Sequence, residues 1–329
     1  MHALGRRQRG PGAFQNVSEA DSTYREHPVN ALTSYARPMP RLSLLPVMLR
    51  EILGERQFPR EPEPQLMEDP DQVSAYADAG RAEGLMAAAY LFHAAQISQV
   101  IQGCRQVVDL GCGPATQLAQ VARLNPEVSF LGIDLSRTML DSAAAHLREL
   151  RLENVRLMES DITALAKVQD RSADAVISTL TLHHLPSYGH LQACFREIAR
   201  VLRPEGALYL VDFGRLKSLK SVLFFAYMNA KRQPHIFSLD YERSLRAAFL
   251  LEDFRAAARE HLPSTARIYS TFQVPLLVII KSESKPLSAA QKTQVAALRR
   301  ELPARYRKDL DELRFFFRLG GLDSDPFRS

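Results

Sequence analysis

The sequence predicts an α/β protein whose core is a doubly wound, mostly parallel sheet of seven strands with an antiparallel last strand. Short β-rich runs at 107–110, 128–135, 155–160, 173–179 and 207–213 alternate with helical stretches, a pattern typical of βαβ units. Two glycines follow the first run, where a strand can turn sharply into a helix. Two further runs, 266–272 and 276–281, are joined so closely that they must pair antiparallel. These observations indicate a Rossmann-like sheet with helical extensions at both ends of the chain.

The remaining elements divide the chain into three regions. Residues 1–66 are expected to form a disordered and partly helical N-terminal extension, with no apolar periodicity over 1–40, a short helix at 41–54 and a proline-rich linker at 57–64. Residues 67–284 are expected to hold the α/β domain, which opens with a helix within 71–100. Its helix at 190–202 is predicted from Leu191, Cys194, Phe195 and Ile198, which recur at helical spacing. Residues 285–329 are expected to form a basic helical tail.

The charge distribution argues against a nucleic-acid partner. The net charge of the 329 residues is +5, but residues 67–284 carry −1 and the excess lies in 1–66 and 285–329. An enzyme acting on nucleic acid would carry its positive charge on the folded domain. The tail contains the sequence RFFFR at residues 314–318 and is typical of a docking helix. A homo-oligomer through the terminal helices is therefore possible.

Three isolated cysteines, Cys104, Cys112 and Cys194, form neither a CxxC pair nor a cluster with histidine. We therefore expect no disulfide framework, no metal site and a cytoplasmic location. Stable membrane insertion is not expected either, since no run approaches the roughly 20 apolar residues of a spanning helix.

The segment VVDLGCGPA, residues 107–115, carries the most specific signal. A predicted strand ends at Asp109, and Gly111 and Gly113 allow the backbone to approach a ligand closely. A dinucleotide fingerprint would need glycine at position 116, where Thr116 stands, so a nicotinamide cofactor is disfavoured. A carboxylate just before the turn suits a ligand that presents an ammonium group.

This segment resembles motif I of the class I S-adenosylmethionine-dependent methyltransferases, in which an acidic residue and GxGxG follow the first strand. The resemblance implies S-adenosylmethionine as cofactor, with Asp109, Gly111, Cys112 and Gly113 around its methionine part. The third glycine of the pattern is Ala115 here.

Further matches follow at the ends of successive strands. The resemblance implies that Asp134, with Leu135, binds the ribose hydroxyls, and that Asp161 and Ile162 hold the adenine. Thr179 is implied to line the cofactor and to open towards the substrate. The similarity spans roughly 71–282 and is nearest to the ubiquinone and menaquinone type, which implies a small-molecule methyl acceptor, possibly apolar or aromatic.

Two histidines, His183 and His184, follow the fourth strand, where this fold places groups that face the substrate. We predict that one of them acts as general base or orients the acceptor, because the pKa of histidine lies near neutrality. The alternative is that each is a packed or helix-capping residue. Residues 217–232, rich in Phe, Tyr and Met, are predicted either to cover the acceptor or to form an ordinary amphipathic helix.

Other functions share parts of this pattern. Enzymes that methylate amino groups of DNA or glutamine carry Asn/Asp-Pro-Pro-Tyr after the fourth strand, where this chain has Thr179-Leu180-Thr181-Leu182. A methyltransferase acting on nucleic acid or protein is thus disfavoured. A domain that binds the cofactor without catalysis remains an alternative.

Overall fold

The computed structural model describes residues 40–63, 84–231 and 233–328, and residues 43–329 form one compact unit. The disorder predicted for 1–40 lies outside the described residues except at position 40, where the first helix begins. The first half of the helix predicted within 71–100 also lies outside them.

Seven strands of the described residues form one sheet in the order β3-β2-β1-β4-β5-β7-β6. Their bounds are β1 Gln106–Leu110, β2 Ser129–Asp134, β3 Val155–Glu159, β4 Ala173–Thr179, β5 Leu202–Phe213, β6 Arg267–Ser270 and β7 Leu277–Lys281. The first five pair parallel, and β7 pairs antiparallel with both β5 and β6. The predicted fold class, with its single reversed last strand, is therefore confirmed.

The helices flank this sheet. Their bounds are α1 Pro40–Leu53, α2 Ala87–Val100, α3 Thr116–Leu124, α4 Arg137–Glu149, α5 Tyr188–Val201, α6 Leu219–Tyr227, α7 His235–Ala247, α8 Leu251–His261, α9 Ala289–Glu301 and α10 Ala304–Leu319, with a short 3-10 turn at Leu182–His184. None of the helices within the described ranges is both long and apolar enough to cross a bilayer.

Alternate residues of each central strand enter two separate hydrophobic cores, as the period of two along a strand requires. Ile177 and Tyr209 face the core that holds α2, α3 and α10. Val176 and Leu210 face the core that holds α5 and α8. Both faces of the sheet are covered, which is why its strands read as nearly continuous apolar runs.

One predicted boundary differs from the structure. The strand expected at 207–213 already begins at Leu202, directly after α5 ends. The predicted linker contains no helix or strand over 57–63, yet it lies against the folded unit, since the Gln57 and Glu61 N–H groups donate to the Lys217 and Arg246 carbonyls at 2.9 and 3.2 Å.

Candidate functional site

The turn between β1 and α3 is shaped by two glycines with left-handed backbones. Gly111 has a φ of 70° and Gly113 a φ of 52°, values that other residues reach only at a cost. A Cβ atom on Gly111 would lie 2.0 Å from the Thr181 methyl group, whereas no heavy atom of the described residues lies within 4 Å of the corresponding position at Gly113. The backbone at Gly113 is therefore open to a ligand.

Asp134 ends β2 beside this turn. Its Oδ2 accepts a hydrogen bond from the Gly113 N–H at 2.8 Å, and its Oδ1 accepts one from the Ser136 N–H at 2.9 Å. A carboxylate has about four lone-pair positions, so acceptor capacity remains for a ligand that donates. The side chain that caps α4 is Ser136, whose Oγ accepts from the Met139 N–H at 3.2 Å. The N-cap residue of α4 is therefore Ser136 and not Asp134.

Asp161 follows β3, the next strand of the sheet. Its Oδ1 accepts from both the backbone N–H and the hydroxyl of Thr163, each at 2.7 Å. Leu135 is 37% exposed although it is apolar, and Ile162 lies with it on the wall of one cavity. Two carboxylates and two apolar side chains therefore converge where β2 and β3 end.

This cavity brings together six of the nine residues predicted to bind the cofactor. They are Gly111, Gly113, Asp134, Leu135, Asp161 and Ile162. Among the described residues, the lining does not include Asp109, Cys112 or Thr179. Burial, followed by the charge of Asp134, raises the pKa of Asp109 to about 8, and burial also raises the pKa of the Cys112 thiol.

The loop that follows β4, residues 180–187, forms another wall of the cavity. Leu180, Thr181, His184 and Leu185 all line it. The backbone of Leu180 is left-handed, with a φ of 55°, and the Thr181 hydroxyl donates to the Gly111 carbonyl at 2.9 Å. The β4 loop is thereby fastened directly to the glycine turn.

Comparison with known proteins agrees with this geometry. Residues 103–244 match the family described as a methyltransferase domain. Residues 103–244 therefore carry a domain of the S-adenosylmethionine-dependent methyltransferase type. The chain is 40% identical over 103 residues to a trans-aconitate 2-methyltransferase from Deinococcus radiodurans, covering 31% of this chain and 36% of the relative. It is 32% identical over 111 residues to a ubiquinone biosynthesis O-methyltransferase from Albidiferax ferrireducens, covering 34% and 42%.

The chain thus spans less than half the length of these curated relatives. Among solved structures, an O-methyltransferase family protein from Burkholderia thailandensis superposes with a TM-score of 0.50 at 20% identity, covering 74% of this chain and 69% of that one. At this identity the likeness concerns the fold alone.

The two predicted catalytic histidines have different surroundings. His183 is buried, and its Nδ1 lies 2.6 Å from Asp212 Oδ1 while its backbone N–H donates to Asp212 Oδ2 at 3.1 Å. Burial alone would lower the pKa of His183, but the charges and hydrogen bonds of Asp212 and Glu63 raise it to about 10. His184 lies on the cavity wall, and its Nδ1 is 3.3 Å from Glu63 Oε1.

Glu63 belongs to a segment that the sequence analysis treated as a linker, residues 57–63, which we call the strap. Burial alone would raise the pKa of Glu63, but the hydrogen bond and charge of His183, with the charge of His184, lower it. A glutamate in a proline-rich stretch gives no local signal of such a contact, because its partners lie about 120 residues away.

Arg60 holds the strap in place. Its guanidinium donates to the carbonyls of His183, Leu185, Pro186 and Ala247 at 2.6 to 2.9 Å. The guanidinium carbon also lies 3.9 Å from the centre of the Phe249 ring, within the range of a cation–π contact. Three of the four carbonyls belong to the β4 loop, so Arg60 fixes the strap relative to the histidines.

The segment predicted as an acceptor cover, 217–232, is described up to residue 231 and contains α6 and the turn after it. Phe225 is buried in the core and Met228 is half exposed, while the Tyr227 hydroxyl donates to Glu242 at 2.8 Å. Among the described residues, none from this segment lines the cavity. Its position is that of an amphipathic helix packed against α7.

Proposed function

We propose that the chain transfers a methyl group from S-adenosylmethionine to a small-molecule acceptor bound against the β4 loop. The observation that carries the proposal is the convergence of Gly113, Asp134 and Asp161, from the ends of three neighbouring strands, on one cavity. The family supports the cofactor. The partly matching relatives, named for trans-aconitate and for ubiquinone biosynthesis, support a small-molecule acceptor.

The residues present fit this cofactor. The open space at Gly113 admits the methionine part close to the backbone, and the lone pairs left on Asp134 suit the two ribose hydroxyls. Asp161, Leu135 and Ile162 supply a hydrogen-bond acceptor and apolar contact for the adenine. When bound, the sulfonium supplies a methyl carbon activated for in-line displacement. A cofactor role stays a prediction for three residues that are not part of the cavity lining, namely Asp109, Cys112 and Thr179.

The acceptor then depends on positioning more than on acid–base chemistry, because the methyl carbon is already activated. Leu180 and Leu185 give the β4 loop an apolar wall, which supports an acceptor with an apolar or aromatic part. Of the predicted catalytic pair, His184 is assigned to contact the acceptor because it lies on the wall. His183, which holds a proton between two carboxylates, is assigned to position the loop.

The remaining predictions on partners and location carry over as part of this proposal. Free Cys104, Cys112 and Cys194 support a reducing, cytoplasmic setting. The charge distribution supports a small molecule over nucleic acid. A homo-oligomer through the terminal helices stays a prediction, as do the domain boundaries at 66/67 and 284/285.

Replacing Asp134 with Ala tests the cofactor site. We expect the variant to lose about 1–3 kcal/mol of binding free energy for S-adenosylhomocysteine, because ribose hydroxyls would go unpaired. Calorimetry would record this as an affinity about 5–150 times weaker.

Asp141→Ala is the matched control, since Asp141 is an exposed carboxylate on α4 that pairs with Arg137 at the surface. It should bind the ligand as the unmodified chain does. Equal affinity in both variants would reject the ribose assignment, and no binding to any of the three proteins would reject the proposed function.

A further inference from the structure

Glu63, His183 and His184 form a cluster that the proposed methyl transfer does not require. One ligand atom from each lies within 4.8 Å of those of the other two. Glu63 Oε1 is 3.3 Å from His183 Nε2 and 3.3 Å from His184 Nδ1. The three side chains are 10%, 3% and 28% exposed, so the cluster is largely shielded from bulk water.

The two distances from Glu63 Oε1 match the edge of a metal-coordination polyhedron. The commonest length of an N–H···O hydrogen bond is about 2.9–3.0 Å, so 3.3 Å is long for a hydrogen bond to either histidine. Two ligand atoms that each lie about 2.0–2.1 Å from a tetrahedral cation are separated by about 3.3–3.4 Å. The glutamate oxygen therefore stands at ligand distance from both imidazoles at once.

Asp212 supplies the supporting contact that metal-bound histidines characteristically have. Its Oδ1 lies 2.6 Å from His183 Nδ1, which fixes the ring with Nε2 towards Glu63. A cation that binds there displaces the proton from Nε2, as metal binding to histidine requires. Carboxylates in this position orient a metal-binding imidazole and raise its basicity. Asp212 and Glu63 together also balance the charge of a divalent cation.

The cluster is preorganised by contacts outside it. Arg60 ties the strap to the carbonyls of the loop that carries both histidines, and the Ser244 hydroxyl donates to Glu63 Oε1 at 3.1 Å. The positive charge of Arg60 is directed at carbonyl oxygens and at the Phe249 ring. Ligands held on rigid supports lose little entropy on binding.

We propose that Glu63, His183 and His184 bind a divalent cation of the Zn²⁺ class at the edge of the cavity. Two imidazoles and one carboxylate suit Zn²⁺, Co²⁺ or Fe²⁺ better than Mg²⁺, which prefers oxygen ligands. His184 lines the cavity, which brings one of the three ligands next to the proposed acceptor. There the cation lowers the pKa of an acceptor hydroxyl as a Lewis acid.

This site goes beyond the proposed function. It also differs from the expectation of no metal site, which was based on the cysteines, because Glu63 lies far from the histidine pair in the sequence. Metal binding requires neither the cofactor nor the acceptor. The inference can therefore be tested on the chain alone.

The test titrates chelator-treated full-length protein with Co²⁺, followed by visible absorption and by calorimetry. We expect one Co²⁺ per chain with d–d bands of a nitrogen- and oxygen-ligated ion. Glu63→Gln and His184→Gln should each weaken binding by more than tenfold, and Asp212→Asn by about 10–100-fold. The control is His190→Gln, since His190 is exposed and its Nδ1 is bonded to Ser187 Oγ at 2.8 Å. This control should bind Co²⁺ unchanged.

Thermal melting shows whether each variant is folded. If only one of Glu63→Gln and His184→Gln is folded, that variant alone serves as the test. The proposal is overturned if the unmodified chain gives no such bands, or if folded Glu63→Gln and His184→Gln bind Co²⁺ as the His190→Gln control does. Binding of S-adenosylhomocysteine is measured on the same samples. If the unmodified chain binds S-adenosylhomocysteine but no Co²⁺, the metal site is rejected and the proposed function stands.

Discussion

Asp109 is a buried carboxyl group at the end of β1, with only 4% of the residue exposed. Burial and the neighbouring charge of Asp134 raise the pKa of Asp109 to about 8, from an unfolded value of about 3.9. Between about pH 4 and about pH 8, Asp109 is therefore protonated in the folded chain and ionised in the unfolded chain. A bound ligand that presents an ammonium group would favour the ionised form, which links this carboxyl to the cofactor predicted for it.

Asp109→Asn tests this charge. Because the folded-state pKa is raised, the free energy of unfolding of the unmodified chain should fall as pH rises from about 4 to about 8, relative to that of the variant. The measurement is urea unfolding of both proteins at about pH 5 and about pH 8. Asp141→Asn, an exposed carboxylate, serves as the control. The raised pKa of Asp109 would be contradicted if the unmodified chain and Asp109→Asn differed in free energy of unfolding by the same amount at both pH values.

The site residues that could be predicted from the sequence are those that lie next to a recognisable strand or turn. Gly111, Gly113 and Asp134 stand directly at strand ends, and parallel strands bring their ends to one edge. Glu63 and Arg60 have no such signal, because only the tertiary fold brings the strap to the β4 loop. Leu185 could have been found, since it follows the predicted histidines along the same loop.

The strap is the element whose structural role least resembles its sequence. Its two prolines, Pro59 and Pro62, predict a linker, and the structure has neither helix nor strand over 57–63. Proline content cannot reveal where such a segment lies, since its hydrogen bonds are made with distant partners. The β-strands behave differently: the apolar runs predicted for 107–110 and 173–179 reappear as β1 and β4, because burial on both faces determines their composition.

Replacing Arg60 with Ala should loosen the strap while leaving the sheet intact. The variant loses four hydrogen bonds to carbonyls and the contact with Phe249. Hydrogen–deuterium exchange should accelerate at the Gln57 and Glu61 amides, which donate to Lys217 and Arg246, because local opening now costs less free energy. Exchange in β1 and β4 should not change.

Arg137→Ala is the control for that experiment, as the Arg137 side chain is 73% exposed and makes a surface ion pair with Asp141. Such pairs contribute about 0–1 kcal/mol, so its exchange pattern should match the unmodified chain. Unchanged exchange of the strap in Arg60→Ala would show that Arg60 does not hold it. Faster exchange throughout the sheet would show a general rather than a local role.

At the scale of the whole molecule, the C-terminal helices belong to the same compact unit as the sheet. Phe317 of α10 stacks on Phe92 of α2, with ring centres 5.4 Å apart and 10° between the planes. The Ser324 hydroxyl accepts from the Lys281 ammonium at 3.0 Å and donates to the Gln96 side chain at 3.1 Å. The basic sequence of residues 285–329 predicts the helices but not this packing, because the apolar positions are spread thinly among charged ones.

This packing also bears on the predicted oligomer. Tyr306, Leu310 and Phe317 form the apolar face of α10, and all three are buried within the chain. An interface through this helix would have to use its other face, which carries mostly charged residues.

Phe317→Ala should destabilise the whole compact unit. Removing a fully buried phenylalanine from the core beside α2 costs about 3–5 kcal/mol, and the loss should appear in a single urea transition followed by circular dichroism, because α10 and the sheet share one core. Leu319→Ala is the control: Leu319 is 44% exposed at the end of the same helix, and surface changes stay within about 0.5 kcal/mol. Two separate transitions, with the sheet as stable as before, would mean that the C-terminal helices unfold independently and that this core is not shared.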